Sequence, residues 1–120
     1  LKNSNRMQVK FYEHILKRVN LSIRKNDNPK LYDLKKNLSG EEYEMLAKLE
    51  HARWNAERLM EGWKYGPDKD ISKKTNPNLV AWEKLDDETK PYDYDAIDNI
   101  PLMLQKIGYE VYSMEEKNKT

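Results

Sequence analysis

The sequence predicts a predominantly helical α+β domain, with helices packed against a small two-stranded antiparallel sheet. Three observations carry this reading. Apolar residues recur at helical spacing in at least three segments. Two short aromatic segments, Trp63-Lys64-Tyr65 and Tyr109-Glu110-Val111-Tyr112, alternate as strands do. Glycines at 62 and 108 follow long periodic runs, where helices stop.

The elements follow in order. Residues 4–19 space Met7, Phe11, Ile15, Leu16 and Val19 helically, with Ser4 or Asn5 as N-cap. Residues 20–30 are polar, carry Asn-Asp-Asn-Pro and read as a loop. A short helix over 29–36 is expected, with Pro29 in its first position. Ser39-Gly40-Glu41-Glu42 is a capping box and opens the longest helix, to about residue 61. Trp63-Lys64-Tyr65 then reads as a strand ending at Gly66-Pro67, and residues 68–78 as an exposed, mobile surface loop. Leu79, Val80, Trp82 and Leu85 return to the core. Asp93 caps a last helix with apolar positions Ile97, Ile100, Leu104 and Ile107, and Pro101 should kink or break it. Gly108 ends it, and the Tyr109 strand should pair with the Trp63 strand. The organisation expected is an N-terminal helix and polar linker over 1–38, a domain over 39–114 and a frayed tail over 115–120.

Composition narrows the function. The chain has 120 residues, 36% charged and 38% hydrophobic, and a mean hydropathy of −1.07. A chain so polar is a poor candidate for a large-pocket enzyme, yet three Trp, eight Tyr and one Phe are too many aromatics for a disordered segment. Twenty-two basic and 21 acidic side chains nearly cancel, so no nucleic-acid partner is expected. No cysteine is present, which excludes disulfides and thiolate sites and fits a cytoplasmic setting. No apolar run approaches a membrane span, so no membrane contact is expected of this segment. Asn20-Leu21-Ser22 and Asn37-Leu38-Ser39 match the glycosylation sequon by chance in a chain with no secretion signal. The chain opens on Leu1 and is read as part of something longer.

Catalytic and metal motifs are missing. His14 and His51 lie on different helices, and Asp93, Asp95 and Asp98 lack the glycine and terminal glutamate of a calcium loop. Ser72 and Ser113 have no nucleophile context. Neither an enzyme, a cofactor nor a metal is expected.

The long helix has an unusual wheel. With His51 at zero, Met45, Leu49, Ala52, Ala56, Leu59 and Met60 fall between about 80° and 180°, which reads as a core stripe. His51, Trp54, Asn55 and Arg58 cluster within roughly 100° on nearly the opposite side. A tryptophan there is either covered by a returning segment, as part of the core, or belongs to an aromatic, cationic and amide patch that stacks on a flat ligand and grips an anion. Both alternatives stand on the sequence.

Residues 46–112 resemble the ryanodine-receptor repeat, the RyR domain. The likeness rests on Leu49-Glu50-His51-Ala52-Arg53-Trp54, on Gly62-Trp63-Lys64-Tyr65-Gly66-Pro67 with Asp70, and on Lys73-Lys74-Thr75-Asn76-Pro77-Asn78-Leu79-Val80-Ala81-Trp82 with Leu85. Tyr92-Asp93 and Gly108-Tyr109-Glu110-Val111 close it. The opening Ser4-Asn5-Arg6-Met7-Gln8 with His14 is similar to a segment that precedes the repeat in prokaryotic relatives, where one copy follows ligand-sensing or channel modules. The resemblance implies a non-catalytic, cytoplasmic regulatory domain that binds a nucleotide-derived small molecule. Animal channels carry these repeats in tandem pairs, so a single copy implies a homodimer or neighbouring domains as partners. The expected ligand residues are Arg6, His51, Trp54, Arg58, Trp63, Tyr65, Lys74 and Trp82, with an aromatic on the base and Arg6, Arg58 or Lys74 on phosphate. The alternative is a protein–protein interaction module in which the same aromatics are core or contact anchors.

Overall fold

A computed structural model describes residues 2–115, with side chains from residue 8 onward. Of the frayed tail expected over 115–120, residues 116–120 lie outside the described residues, as does the Arg6 side chain. The element order is α1 (Lys2–Lys17), β1 (Leu21–Lys25), α2 (Leu34–Asn37), α3 (Gly40–Met60), β2 (Lys64–Tyr65), β3 (Thr75–Asn76), a 3-10 turn (Trp82–Lys84), α4 (Lys90–Lys106) and β4 (Tyr109–Ser113). The protein is thus a mostly helical α+β domain with a small two-stranded antiparallel sheet. Its chain forms two compact units, one of residues 1–46 with 98–120 and one of residues 47–97.

In the first unit, α1 starts at Lys2, upstream of the caps expected at Ser4 and Asn5, and buries Tyr12, Ile15 and Leu16. Asn20 takes a left-handed conformation, φ 63°, and turns the chain into β1; asparagine is among the few residues that tolerate it. β1 pairs antiparallel with β4, with Leu21 opposite Ser113 and Arg24 opposite Glu110. This corrects two expectations. Residues 21–25 are strand rather than loop, and β4 pairs with them rather than with the Trp63 segment. Leu21 and Ile23 alternate with Ser22 and Arg24, a short strand pattern masked by the polar residues around it. Glu110 is buried and ties β4 to β1 and to the segment that follows β1. Its carboxylate accepts from Arg24 Nε at 2.7 Å, Asn26 Nδ2 at 2.8 Å and the Lys30 amide at 3.1 Å. The short helix begins at Leu34, capped by Asp33, and not at Pro29.

The capping box forms as expected: Ser39 Oγ accepts from the Glu42 amide at 3.1 Å, and Glu42 Oε1 from the Ser39 amide at 3.0 Å. Gly62, at φ 93°, follows the end of α3. α4 begins at Lys90, three residues before the expected cap, because Pro91 suits a first turn whose amide needs no partner. It runs unbroken through Pro101, correcting the expected break. One lost hydrogen bond is offset there by the burial of Ile97, Ile100 and Leu104. Ile107 lies beyond the helix and is exposed. Gly108, at φ 84°, ends the turn and β4 follows.

In the second unit, residues 68–78 are not an open loop throughout. β2 and β3 pair in parallel, Lys64 with Thr75 and Tyr65 with Asn76. Asp70 Oδ1 closes the turn between them, accepting from the Ser72 amide and hydroxyl and from the Lys73 amide. These bonds hold the Asp70 carboxyl below its ordinary range, the Ser72 hydroxyl first among them. Residues 71–74 are exposed, while residues 75–80 are half-buried.

Candidate functional site

The wheel of α3 is oriented opposite to the expectation. Glu50 and His51 are buried, and Trp54, Asn55 and Arg58 are half-buried. The supposed core stripe is outside: Met45, Ala52, Ala56, Leu59 and Met60 are exposed, and Leu49 is half-buried. The reason is specific pairing, which an apolar count does not register. His51 Nε2 lies 2.8 Å from the Val80 carbonyl, Asn55 Nδ2 donates to the same oxygen at 2.9 Å, and His51 Nδ1 lies 3.1 Å from Asp93 Oδ2. Glu50 accepts from Arg53 at 2.6 Å. Each polar group taken from water on this side thereby recovers a partner, except Asn55 Oδ1, which is buried without one.

Aromatic packing completes the arrangement. Trp82, on the 3-10 turn, is buried edge-on against His51 at 6.2 Å and against Tyr94 at 5.8 Å. It belongs to the core and supports His51 from behind. Trp54 stacks on His51, with ring centroids 5.8 Å apart at 20°, and the Arg58 guanidinium lies 5.9 Å from its ring.

Trp54 lines two cavities of about 330 Å³ each. Glu50, His51, Asn78, Thr89, Tyr92 and Asp93 line the first, and Arg58, Trp63 and Ile71 the second; Lys69 and Asn76 line both. Carboxylates line only the first of them, and a guanidinium only the second. Burial disfavours a charged His51 ring, but the Asp93 carboxylate and the Val80 carbonyl outweigh it and hold its pKa above the ordinary 6.5.

Of the residues expected from sequence, His51, Trp54, Arg58 and Trp63 thus converge on this groove. Three do not. Trp82 is core. Tyr65 lines a separate cavity with Pro77, Leu79 and Lys84. Lys74 donates its ammonium to the Glu61 carbonyl at 2.9 Å, capping the end of α3. Sequence reasoning missed Glu50, Lys69, Asn76, Asn78, Thr89, Tyr92 and Asp93 as lining residues. Asp93 carries a signal, a carboxylate beside Tyr92, but its place ahead of an apolar helical run reads equally as a cap. Lys69 sits in a cationic loop where nothing separates it from Lys73 or Lys74.

The fold and groove define a small helical α+β domain with a polar, aromatic-walled cleft. The family model of the RyR domain matches residues 28–113, and the chain belongs to that family. The matched span contains β4 but not its strand partner β1. Among the described residues, no helix is long and apolar enough to cross a membrane.

Proposed function

We propose that the domain is a non-catalytic, cytoplasmic sensing module that binds a small nucleotide-like ligand in the Trp54 groove. The observation that carries this is the position of Trp54 on the border of two cavities, one with the carboxylates Glu50 and Asp93 in its wall and the other with the Arg58 guanidinium. A flat heterocycle gains about 1–3 kcal/mol by stacking on such a ring. On one side Asp93 and Asn78 can meet the ring's amino and ring-nitrogen groups, since a carboxylate bonded to His51 keeps capacity for another donor. On the other, Arg58 and Lys69 supply the positive charge a phosphate requires. Lys69 takes the role expected of Lys74. Each cavity is near the lower end of ligand-site volumes, which suits a mononucleotide across both better than a larger cofactor.

The test is thermal unfolding with AMP, adenosine and inorganic phosphate, followed by titration calorimetry. AMP should raise the melting temperature most, because it engages both cavities. Saturation at 100 times Kd corresponds to ~2.7 kcal/mol of added stability. No shift with AMP or any other purine or pyrimidine monophosphate at millimolar concentration overturns the proposal, as does undiminished binding by Arg58→Ala.

A second reading, a protein interaction module, rests on other residues. Leu59 and Met60 on α3 are 58% and 89% exposed. The two readings use different faces of one helix and do not compete.

A further inference from the structure

The first cavity beside Trp54 has two carboxylates in its wall, and they are not equivalent. Glu50 is occupied, because Arg53 donates to both of its oxygens at 2.6–3.2 Å. Asp93 is only half occupied. Its Oδ2 lies 3.1 Å from His51 Nδ1, which holds the group in place, and its side chain is 14% exposed. Among the described residues Oδ1 has no hydrogen-bond partner, and it is open rather than buried, since the one buried side-chain atom without a partner there is Asn55 Oδ1. An ionised carboxylate is an acceptor alone, with two lone pairs on each oxygen. Asp93 therefore has capacity for two further N–H groups, one at Oδ1 and one at the second lone pair of Oδ2.

Donors line the same cavity. Asn76 Oδ1 accepts from the Asn78 amide at 2.9 Å, so the end of that side chain left over is Nδ2, which donates. The Lys69 ammonium is a second donor. Of the nucleotide bases, guanine places two N–H groups in parallel on one edge, the ring N1–H and the 2-amino group, with the O6 acceptor beside them. No other common base presents two such groups together. Adenine, turned to the same carboxylate, gives one N–H and sets an N1 or N7 lone pair against the negative charge.

We infer that the groove selects a guanine nucleotide, with Asp93 accepting from N1–H and the 2-amino group and with Asn76 or Lys69 donating to O6. The inference rests on the nucleotide reading above and names the base. Asp93 is then the specificity-determining residue. Its bonds to guanine are charge-assisted and two-fold, and a base that turns a lone pair toward it forfeits at least one of them and meets repulsion as well.

Titration calorimetry with GMP, IMP, N1-methyl-GMP and AMP tests it on the unaltered protein. GMP should bind at least about tenfold tighter than AMP, the worth of one hydrogen bond to a charged group. IMP keeps the ring N–H and O6 but lacks the amino group, and should fall between the two. N1-methyl-GMP should lose the advantage, because its methyl replaces the proton that faces Asp93. Asp93→Asn, with its oxygen kept toward His51, puts an N–H donor in place of the open acceptor, so the preference for GMP over AMP should vanish or reverse. A melting curve of that variant shows whether it is folded, and the modified nucleotides decide the matter without it. Equal affinities for GMP and AMP, undiminished binding of N1-methyl-GMP, or a GMP preference retained by folded Asp93→Asn each overturns the inference and leaves the nucleotide reading standing. No binding by any of the four nucleotides removes both.

Discussion

The imidazole of His51 has an acceptor at each nitrogen, the Asp93 carboxylate 3.1 Å from Nδ1 and the Val80 carbonyl 2.8 Å from Nε2. A neutral ring can donate to only one of them, so this geometry is satisfied in full by the protonated form. Folding therefore raises the pKa of His51 above 6.5 against the cost of burial. A group whose pKa rises on folding contributes stability that is complete below its unfolded value and lost as pH climbs through the folded one. The melting temperature should accordingly be flat from about pH 5.5 to 6.5 and decline at higher pH. Asp70 and Glu110, both shifted downward, remain ionised across that window and do not contribute to it. Asp93→Asn should flatten the decline; an equally steep slope in that variant rules out the pairing as its source.

Trp54 and Trp82 both touch His51, yet their substitutions should separate. Trp82 is 5% exposed and packed by His51 and Tyr94, with the Lys90 ammonium 5.3 Å from its ring. Trp82→Ala should cost ~3–5 kcal/mol, enough to unfold much of a domain of ordinary stability. Trp54 is half-buried and borders the groove, so Trp54→Ala should cost about 1–2 kcal/mol and leave a folded protein. Urea denaturation of the two variants checks the order. Equal losses would place Trp54 in the core as well and remove it from the ligand surface.

What was legible in the sequence followed from local chemistry. Ser39 and Glu42 announced a helix start, Gly108 a stop and Tyr109–Tyr112 a strand, which the structure extends to Ser113, since caps and alternation act on neighbouring residues. Strand pairing was not legible, because the partner of β4 is set by contacts some ninety residues away. Nor was the orientation of α3. Its apolar residues lie together on one face, but His51 and Asn55 on the other find partners beyond the helix at Val80 and Asp93, and those pairs turn that side inward. His51, Trp54 and Arg58 nevertheless lie on one side of α3, because helical spacing gathers them whichever way the helix faces.

Glu110 should reveal itself in acid. The Lys30 amide, with Arg24 and Asn26, outweighs burial and holds its carboxyl below the ordinary 4.5. A carboxylate depressed in this way stabilises the fold above that value, and the contribution is lost as pH falls through the folded pKa. Acid unfolding below about pH 4.5 should be less steep in Glu110→Gln than in the parent. Glutamine keeps one acceptor but not the charge facing Arg24, so the variant should also be the less stable at neutral pH. Superimposable acid profiles would show that the strand pair β1–β4 does not depend on this charge.

Gly66 tests the small parallel pairing of β2 and β3. A methyl group there would lie 2.6 Å from Thr75 Cβ and 2.9 Å from Thr75 Cγ2, well inside van der Waals contact. Thr75 cannot simply turn away. Its amide and carbonyl both bond Asp70, and its hydroxyl donates to the Asp68 carbonyl at 2.9 Å. Gly66→Ala should therefore push β3 off β2 and cost ~1–3 kcal/mol, as overpacking does elsewhere. The displaced segment leads directly into Asn76 and Asn78, which line the groove, so ligand binding should weaken along with stability. Removing the obstructing atoms tests the cause. In Gly66→Ala/Thr75→Gly the clash is gone, and the second substitution should restore part of the loss even though Thr75→Gly alone is destabilising. That sign reversal is a coupling between neighbours which a double-mutant cycle measures directly. Additive losses in the cycle would mean that the methyl is accommodated elsewhere and that Gly66 is not the residue that lets β3 approach.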